Sequence, residues 1–170
     1  MLILQKATLQ DIPQLEILIN SAYRGDSSKK GWTTEADLLD GIRTDSESLK
    51  EMISKEGSVI LKWVGGNNLL QGCVYLEKRG NRMYLGMLTV SPMLQAKGIG
   101  KQLLVKAEEY AQSQECSIIE MTVISVRAEL IAWYKKHGYK DTGEKKPFPN
   151  EVKFGIPKRP LEFIVMQKEI

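Results

Sequence analysis

The spacing of apolar positions changes along the chain, and each change predicts an element. Ile12, Leu15, Ile19 and Ala22 recur at helical spacing, after a short strand expected over Met1 to Thr8. Thr8 is a candidate cap, and Pro13 blurs the start of that helix. Thr34-Glu35-Ala36-Asp37 has the form of a capping box and predicts a short helix ending near Gly41. Thr44-Asp45-Ser46-Glu47 opens another, with Leu49, Met52 and Ile53 inward and Gly57 as its stop. From Ser58 the period shortens. Ser58 to Val64, Leu69 to Lys78 and Arg82 to Val90 read as three strands joined by turns at 65–68 and 79–81, an antiparallel meander. Leu103, Leu104, Ala107, Tyr110 and Ala111 restore the helical period. Ser117 to Ile124 is a β-branched strand, and Arg127 to His137 is a helix stopped by Gly138. A tail holding Pro147, Pro149, Pro157 and Pro160 leads to a last strand, Leu161 to Lys168. With no repeat and no low-complexity linker, the expectation is one α+β domain over residues 1–170.

Composition narrows the class. A chain of 170 residues that is 42% hydrophobic suits one domain with a full core. No apolar run approaches the roughly 20 residues of a membrane span, so no membrane partner is expected. The opening residues carry neither a basic region nor a long apolar stretch, so no secretory signal is expected. Cys73 and Cys116 are isolated in strand-like surroundings. They form neither a disulfide framework nor a metal site and fit a reducing cytoplasm. The net charge of +3 is mild, and the basic and aromatic residues are scattered, which argues against nucleic acid. A homodimer is compatible with the sequence.

The most informative stretch is Val90-Ser91-Pro92 followed by Gln95-Ala96-Lys97-Gly98-Ile99-Gly100-Lys101. A Walker loop is excluded because Gly100-Lys101 is followed by Gln102 rather than a hydroxyl residue. The dinucleotide fingerprint is excluded because Leu103 stands at the third glycine. What remains is a small-residue loop running straight into a helix, where free N–H groups and the helix dipole favour an anion. Ala96, Gly98 and Gly100 would allow a diphosphate to come close. The alternative is a strand-to-helix turn that uses glycine only for geometry.

The order of elements and two blocks resemble the GNAT superfamily of N-acetyltransferases over essentially the whole chain. The blocks are Leu88-Thr89-Val90-Ser91-Pro92 with Gln95-x-x-Gly98-x-Gly100, and Ala132-Trp133-Tyr134-Lys135-Lys136-His137-Gly138-Tyr139. The resemblance implies a mixed, mostly antiparallel central sheet flanked by helices. It also implies acetyl-CoA as cosubstrate, with no metal, bound by Leu88, Thr89 and Val90 and by Gln95, Ala96, Lys97, Gly98, Ile99, Gly100 and Lys101. There is a departure. The family often has Asn seven residues before the tyrosine and Ala three residues after that Asn, where this chain has Arg127 and Leu130. Arg127 either reaches a coenzyme phosphate or is solvated.

In the family the amine attacks the thioester carbonyl directly. An alkylammonium of pKa about 10.4 is neutral only about one part in a thousand at pH 7, a cost of roughly 4 kcal/mol. By resemblance, a backbone N–H at Leu88 to Val90 supports the carbonyl oxygen. Tyr134 holds the position of the acid that meets the departing thiolate, or else packs between sheet and helix. No carboxylate lies on the strand before the glycine loop. Glu77, Glu120 and a water chain are the candidates for base, and the role stays unassigned. The acceptor site is expected between the first two strands, with Tyr23 and Trp32 as apolar walls and Arg24 or Arg43 pairing with a carboxylate. Glu35 or Asp37 would hold an ammonium, unless Thr34 and Asp37 only cap a helix. Phe148 and the proline-rich tail form the other wall. His137 ends a helix, where a cation is favoured. Lys135-Lys136 and Lys145-Lys146 read as solvated faces. The expected acceptor is a small amine bearing a carboxylate. The rivals are a protein N-acetyltransferase and a non-catalytic acyl-CoA-binding module.

Overall fold

The computed structural model describes residues 3–95, 97–149 and 153–170. Ala96, the start of the first expected strand and Asn150 of the tail lie outside the described residues. In chain order the elements are β1 (Ile3–Lys6), α1 (Ile12–Tyr23), α2 (Gly25–Ser28), β2 (Leu39–Asp40), α3 (Ser46–Ser54), β3 (Ser58–Val64), β4 (Leu70–Arg79) and β5 (Arg82–Val90). They continue with α4 (Ile99–Ser113), β6 (Ile118–Ile124), α5 (Ala128–Lys136), β7 (Lys140–Pro147), β8 (Ile156–Pro157) and β9 (Glu162–Glu169).

Seven strands form one sheet in the order β1-β3-β4-β5-β6-β9-β7. Every pairing is antiparallel except β5 with β6. The fold is therefore α+β, with a mixed, mostly antiparallel sheet between helices. Both faces are covered, which is why β3 reads as a continuous apolar run. Its Val59, Leu61 and Trp63 join the core that includes Leu103, Leu104 and Ala107 of α4, while Ile60 joins Leu15 and Ile19 of α1 and Leu49 of α3.

A bulge sets up the site. Opposite β4, the register of β5 slips between Cys73 and Tyr75, and Met87 takes φ +49°. Side-chain parity reverses there. Met83 and Leu85 face the α4 side, Met87 faces the α1 side, and Leu88 and Val90 return to the α4 side. On its other edge β5 pairs with β6 only from Arg82↔Ile118 to Tyr84↔Glu120. Beyond Tyr84 the two strands part, and the β5 edge toward β6 has no partner strand.

Three local expectations need correction. The capping-box segment 34–37 forms a single turn and no helix, with Leu38 and Leu39 N–H groups bonding back to the Glu35 carbonyl. Thr34 Oγ1 does accept the Ala36 N–H at 3.0 Å, but Asp37, the acid of the box, lies 3.8 Å from Lys29, and Glu35 enters a buried ion cluster. The tail also contains an unanticipated strand, β7, whose sequence KDTGEKKP carries no apolar pattern because it is an exposed edge. Finally, β2 and β8 pair as a two-residue ribbon, Leu39 with Pro157 and Asp40 with Ile156. This ribbon joins the segment after α1 to the proline-rich tail. The Lys158 N–H to Leu38 carbonyl bond, at 2.9 Å, extends it.

Candidate active site

Gly98 stands at the N-cap of α4 with φ +85°, a left-handed conformation, and a Cβ added there would meet nothing within 4 Å. No side chain caps the first turn of this 15-residue helix. The leading N–H groups therefore have neither intrahelical nor side-chain partners. Gly100 has a different reason to be glycine: a Cβ there would sit 3.3 Å from the Trp133 ring of α5. Lys97 and Lys101 are exposed beside the loop, and Ile99 is buried beneath it.

Gln95 does not project freely. Its Nε2 donates to the Val90 carbonyl at 3.1 Å, and its Oε1 accepts the N–H groups of Trp32 at 2.5 Å and Thr33 at 3.4 Å. The Tyr23 hydroxyl donates to the Leu88 carbonyl at 2.8 Å. Two carbonyls at the open end of β5 are thus tied, one to the last residue of α1 and one through Gln95 to the segment that follows it. Burial pushes the Tyr23 hydroxyl up to a pKa of about 12, so it remains a donor at neutral pH.

Two cavities meet at the open end of β5. The first is lined by Trp32, Leu88, Thr89, Val90, Gln95, Gly98 and Lys101. The second, about 270 Å³, lies where β5 and β6 part, between Leu85–Leu88 and Met121–Ile124, and is closed by Phe148, Phe154 and Phe163. Tyr23, Leu88, Arg127, Leu130 and Tyr134 line both. Trp32, expected on the acceptor wall, lines the first cavity instead. It stands 6.4 Å from Trp133, because Gln95 holds its backbone against the glycine loop. Phe148 lies on the second, 5.1 Å from Phe163.

Tyr134 is only 6% exposed, with edge-on contacts to Trp133 at 5.2 Å and Tyr139 at 5.8 Å. Burial raises its pKa well above the ordinary tyrosine value; nearby Tyr23 adds to the shift and Arg127 opposes it.

Glu35 was not legible as a buried residue, yet it organises the charges around the second cavity. It bonds Arg24 Nε at 2.9 Å and Arg127 Nη1 at 3.3 Å, and all three side chains are more than nine-tenths buried. Arg127 Nη2 donates to Thr33 Oγ1 at 2.6 Å, and Arg24 Nη1 donates to the Ile42 carbonyl at 3.1 Å. A Cβ on Gly155 would come within 2.9 Å of the Arg24 guanidinium, so the tail lies directly on it. Arg127 is therefore not solvated, and Arg24 has its Nε and Nη1 donors committed to protein groups. Arg43 differs: it is half-buried, lines the second cavity, and lies over the Tyr23 ring at 5.3 Å.

The carboxylates weighed as bases lie elsewhere. Glu77 is buried, not solvated, and pairs with Lys55 and Arg79; Glu120 pairs with Arg82 at 2.7 Å and accepts from Gln167. Neither lines either cavity. His137 Nδ1 lies 2.7 Å from the Trp133 carbonyl, and the ring stacks on that indole. Among the described residues no group of three His, Cys, Asp or Glu is placed to hold a metal, and no helix is long and apolar enough to cross a membrane.

The seven-stranded sheet parts beside a glycine loop at the N-terminus of α4. A family model for the acetyltransferase (GNAT) domain matches residues 31–154, and the chain belongs to that family. The fold is similar to the ribosomal-protein-S18-alanine N-acetyltransferase of Escherichia coli, at TM-score 0.74 and 13% identity over 100% of this chain and 94% of the other. It is also similar to nourseothricin acetyltransferase (TM-score 0.70, 15% identity, 99% and 98% covered). The PaiA N-acetyltransferase of Thermoplasma acidophilum, solved with coenzyme A, is a further match (TM-score 0.65, 19% identity, 100% and 99% covered). No curated protein matches the chain in sequence.

Proposed function

We propose that the chain is a single N-acetyltransferase domain that moves the acetyl group of acetyl-CoA to the amine of a small molecule. The observation that carries this reading is the continuity of the two cavities past Tyr134, from the uncapped first turn of α4 to the gap between β5 and β6. The residues fit coenzyme A: the left-handed Gly98 leaves open space before the free N–H groups, where a pyrophosphate would sit. Lys97 and Lys101 flank that position. The edge of β5 toward the gap, at Leu88 to Val90, supplies backbone N–H groups for the pantetheine arm and the thioester oxygen, its Leu88 and Val90 carbonyls being held by Tyr23 and Gln95. A relative solved with coenzyme A has the same fold.

Acetyl-CoA supplies an activated acyl carbon with a thiol leaving group. The neutral amine forms the C–N bond, the C–S bond breaks, and the proton lost from nitrogen balances the thiolate. Tyr134 donates a hydrogen bond toward the sulfur as it gains charge. Related folds include enzymes named for protein substrates and for small molecules. The second cavity favours the small molecule. Its roughly 270 Å³ lies just below the ~300–1,000 Å³ typical of drug-sized ligands, and the β2–β8 ribbon ties its two walls together.

Incubation with acetyl-CoA and a panel of free amines and short peptides, read by thiol release, tests the proposal. Turnover of free amines is expected. A tenfold preference for peptides sharing the same N-terminal residue would move the chain to the protein N-acetyltransferases. A second expectation concerns the loop. Gly98→Val puts a β-branched residue at φ +85°, costing at least ~1–2 kcal/mol locally, and fills the space before the free N–H groups. Calorimetry should show coenzyme A affinity falling by tenfold or more. Unchanged affinity would remove the pyrophosphate from this loop.

A further inference from the structure

We propose that the acceptor is a compact amine carrying a carboxylate and an apolar body the size of an aromatic ring, with Arg43 as the carboxylate anchor. This rests on the acetyltransferase reading and names its substrate class.

The charges around the second cavity do not balance. Three guanidiniums, of Arg24, Arg43 and Arg127, and one carboxylate, that of Glu35, line it. Glu35 is shared by Arg24 and Arg127, and Glu129, outside the lining, stands 3.8 Å from Arg127 Nε, so two carboxylates serve these two guanidiniums. Among the described residues no carboxylate lies within 4 Å of the Arg43 guanidinium. Nearby anions are engaged elsewhere: Asp45 and Glu47 by Lys153, Asp40 by Lys158, and Glu162 by Lys145. Arg43 thus leaves one positive charge for a ligand to match.

That charge is held in place. Asn20 Oδ1 accepts the N–H groups of Arg43 at 2.8 Å and Thr44 at 3.0 Å, and Asn20 Nδ2 donates to the Thr44 carbonyl at 3.0 Å. The backbone at Arg43 is pinned to α1, and the guanidinium rests over the Tyr23 ring. A planar fork on a fixed backbone suits a carboxylate, which it can bind bidentately. The rest of the wall is apolar: Tyr84, Met87, Met121, Phe148, Phe154 and Phe163. A hydrophobic group of ring size fills such a wall, and a polyamine does not.

The same imbalance addresses the missing base. Among the described residues no carboxylate free of an arginine lines the cavity. Net positive charge disfavours a bound ammonium and favours the neutral amine that attacks. The acceptor's own carboxylate offsets the field enough for binding, so an acceptor with both groups is better served than a simple amine.

The test compares kcat/KM for matched pairs on the full chain: L-phenylalanine against 2-phenylethylamine, and L-methionine against 3-(methylthio)propylamine. Spermidine and short peptides are included, and wild type, Arg43→Gln and Arg43→Glu are measured. Wild type is expected to favour the carboxylate member by at least tenfold. The ratio should fall to near unity in Arg43→Gln and reverse in Arg43→Glu, with coenzyme A affinity by calorimetry unchanged. A wild-type preference for the decarboxylated amines or spermidine, or an acid preference that survives Arg43→Gln, overturns the carboxylate anchor and leaves the acetyltransferase reading standing. Preference for peptides removes the small acceptor. Thiol release with none of these amines, without coenzyme A binding, removes the acetyltransferase reading itself.

Discussion

Tyr134→Phe is expected to lower kcat by about 10²-fold or more while coenzyme A binds within about twofold of wild type. The ring is wedged between Trp133 and Tyr139, and phenylalanine preserves those contacts. Only the hydroxyl is lost, at the junction of the two cavities. Its raised pKa decides what kind of help it gives. A phenol held well above its ordinary value is a poor source of a free proton for a thiolate of reference pKa about 8.5. It is a secure hydrogen-bond donor at every pH at which the enzyme would be assayed. The contribution is therefore stabilisation of charge developing on sulfur, with the net proton coming from the amine. The pH profile follows. The Tyr134 proton stays on through pH 10, so wild-type kcat/KM should rise with pH as the acceptor deprotonates, with no fall assignable to this tyrosine. Full kcat in Tyr134→Phe with a good acceptor would reduce Tyr134 to packing. A fall in rate between pH 8 and 10 that vanishes in the variant would show that its proton is lost there.

What could be read from the sequence was local. Ile12, Leu15 and Ile19 mark α1 because an amphipathic helix repeats its apolar face every three or four residues. The meander and the glycine loop are equally local, each set by turn residues and one change of period. The second cavity depends on residues far apart. Its closing ribbon pairs Leu39 with Pro157, and two residues on each side carry no periodic signal. The polar edge strand β7 likewise lacks the alternation by which buried strands are recognised. Thr34-Glu35-Ala36-Asp37 shows the limit most sharply. Its spacing satisfies the capping rule, but the box acid Asp37 is exposed and lies 3.8 Å from Lys29, while its neighbour Glu35 is held by two buried guanidiniums, one of them 92 positions away. Trp32 stands beside the glycine loop for a related reason. Its position follows from the Gln95 side chain, a partner 63 positions on.

Glu35→Gln is expected to destabilise the fold by ~3–5 kcal/mol, the cost typical of removing one partner from a buried ion pair. Arg24 is 6% exposed and Arg127 is 5% exposed, so neither charge can turn to water when the carboxylate is gone. Glutamine retains a carbonyl acceptor, but it carries no charge to face two guanidiniums, and its amide donors have no use beside them. At about 2–4 °C per kcal/mol for a domain of this size, Tm should fall by ~6–20 °C. Urea denaturation should show a lower midpoint with an unchanged slope, the pattern of lost stability without a changed unfolded state. The cluster also connects three parts of the second cavity's wall. Arg24 follows α1 and carries the tail at Gly155, Glu35 belongs to the turn before β2, and Arg127 precedes α5. Loosening it should raise KM for the acceptor more than it weakens coenzyme A, whose glycine loop lies outside the cluster. The triple variant Arg24→Met, Glu35→Leu, Arg127→Met separates charge from packing. With no ion left buried it should recover most of the stability, because apolar groups of similar volume often replace such clusters at little cost. The acceptor KM should stay high, since the bonds from Arg24 to Ile42 and from Arg127 to Thr33 are gone. A loss below 1 kcal/mol in Glu35→Gln would mean that the two guanidiniums find water or other acceptors, and that the triad does not hold the acceptor wall.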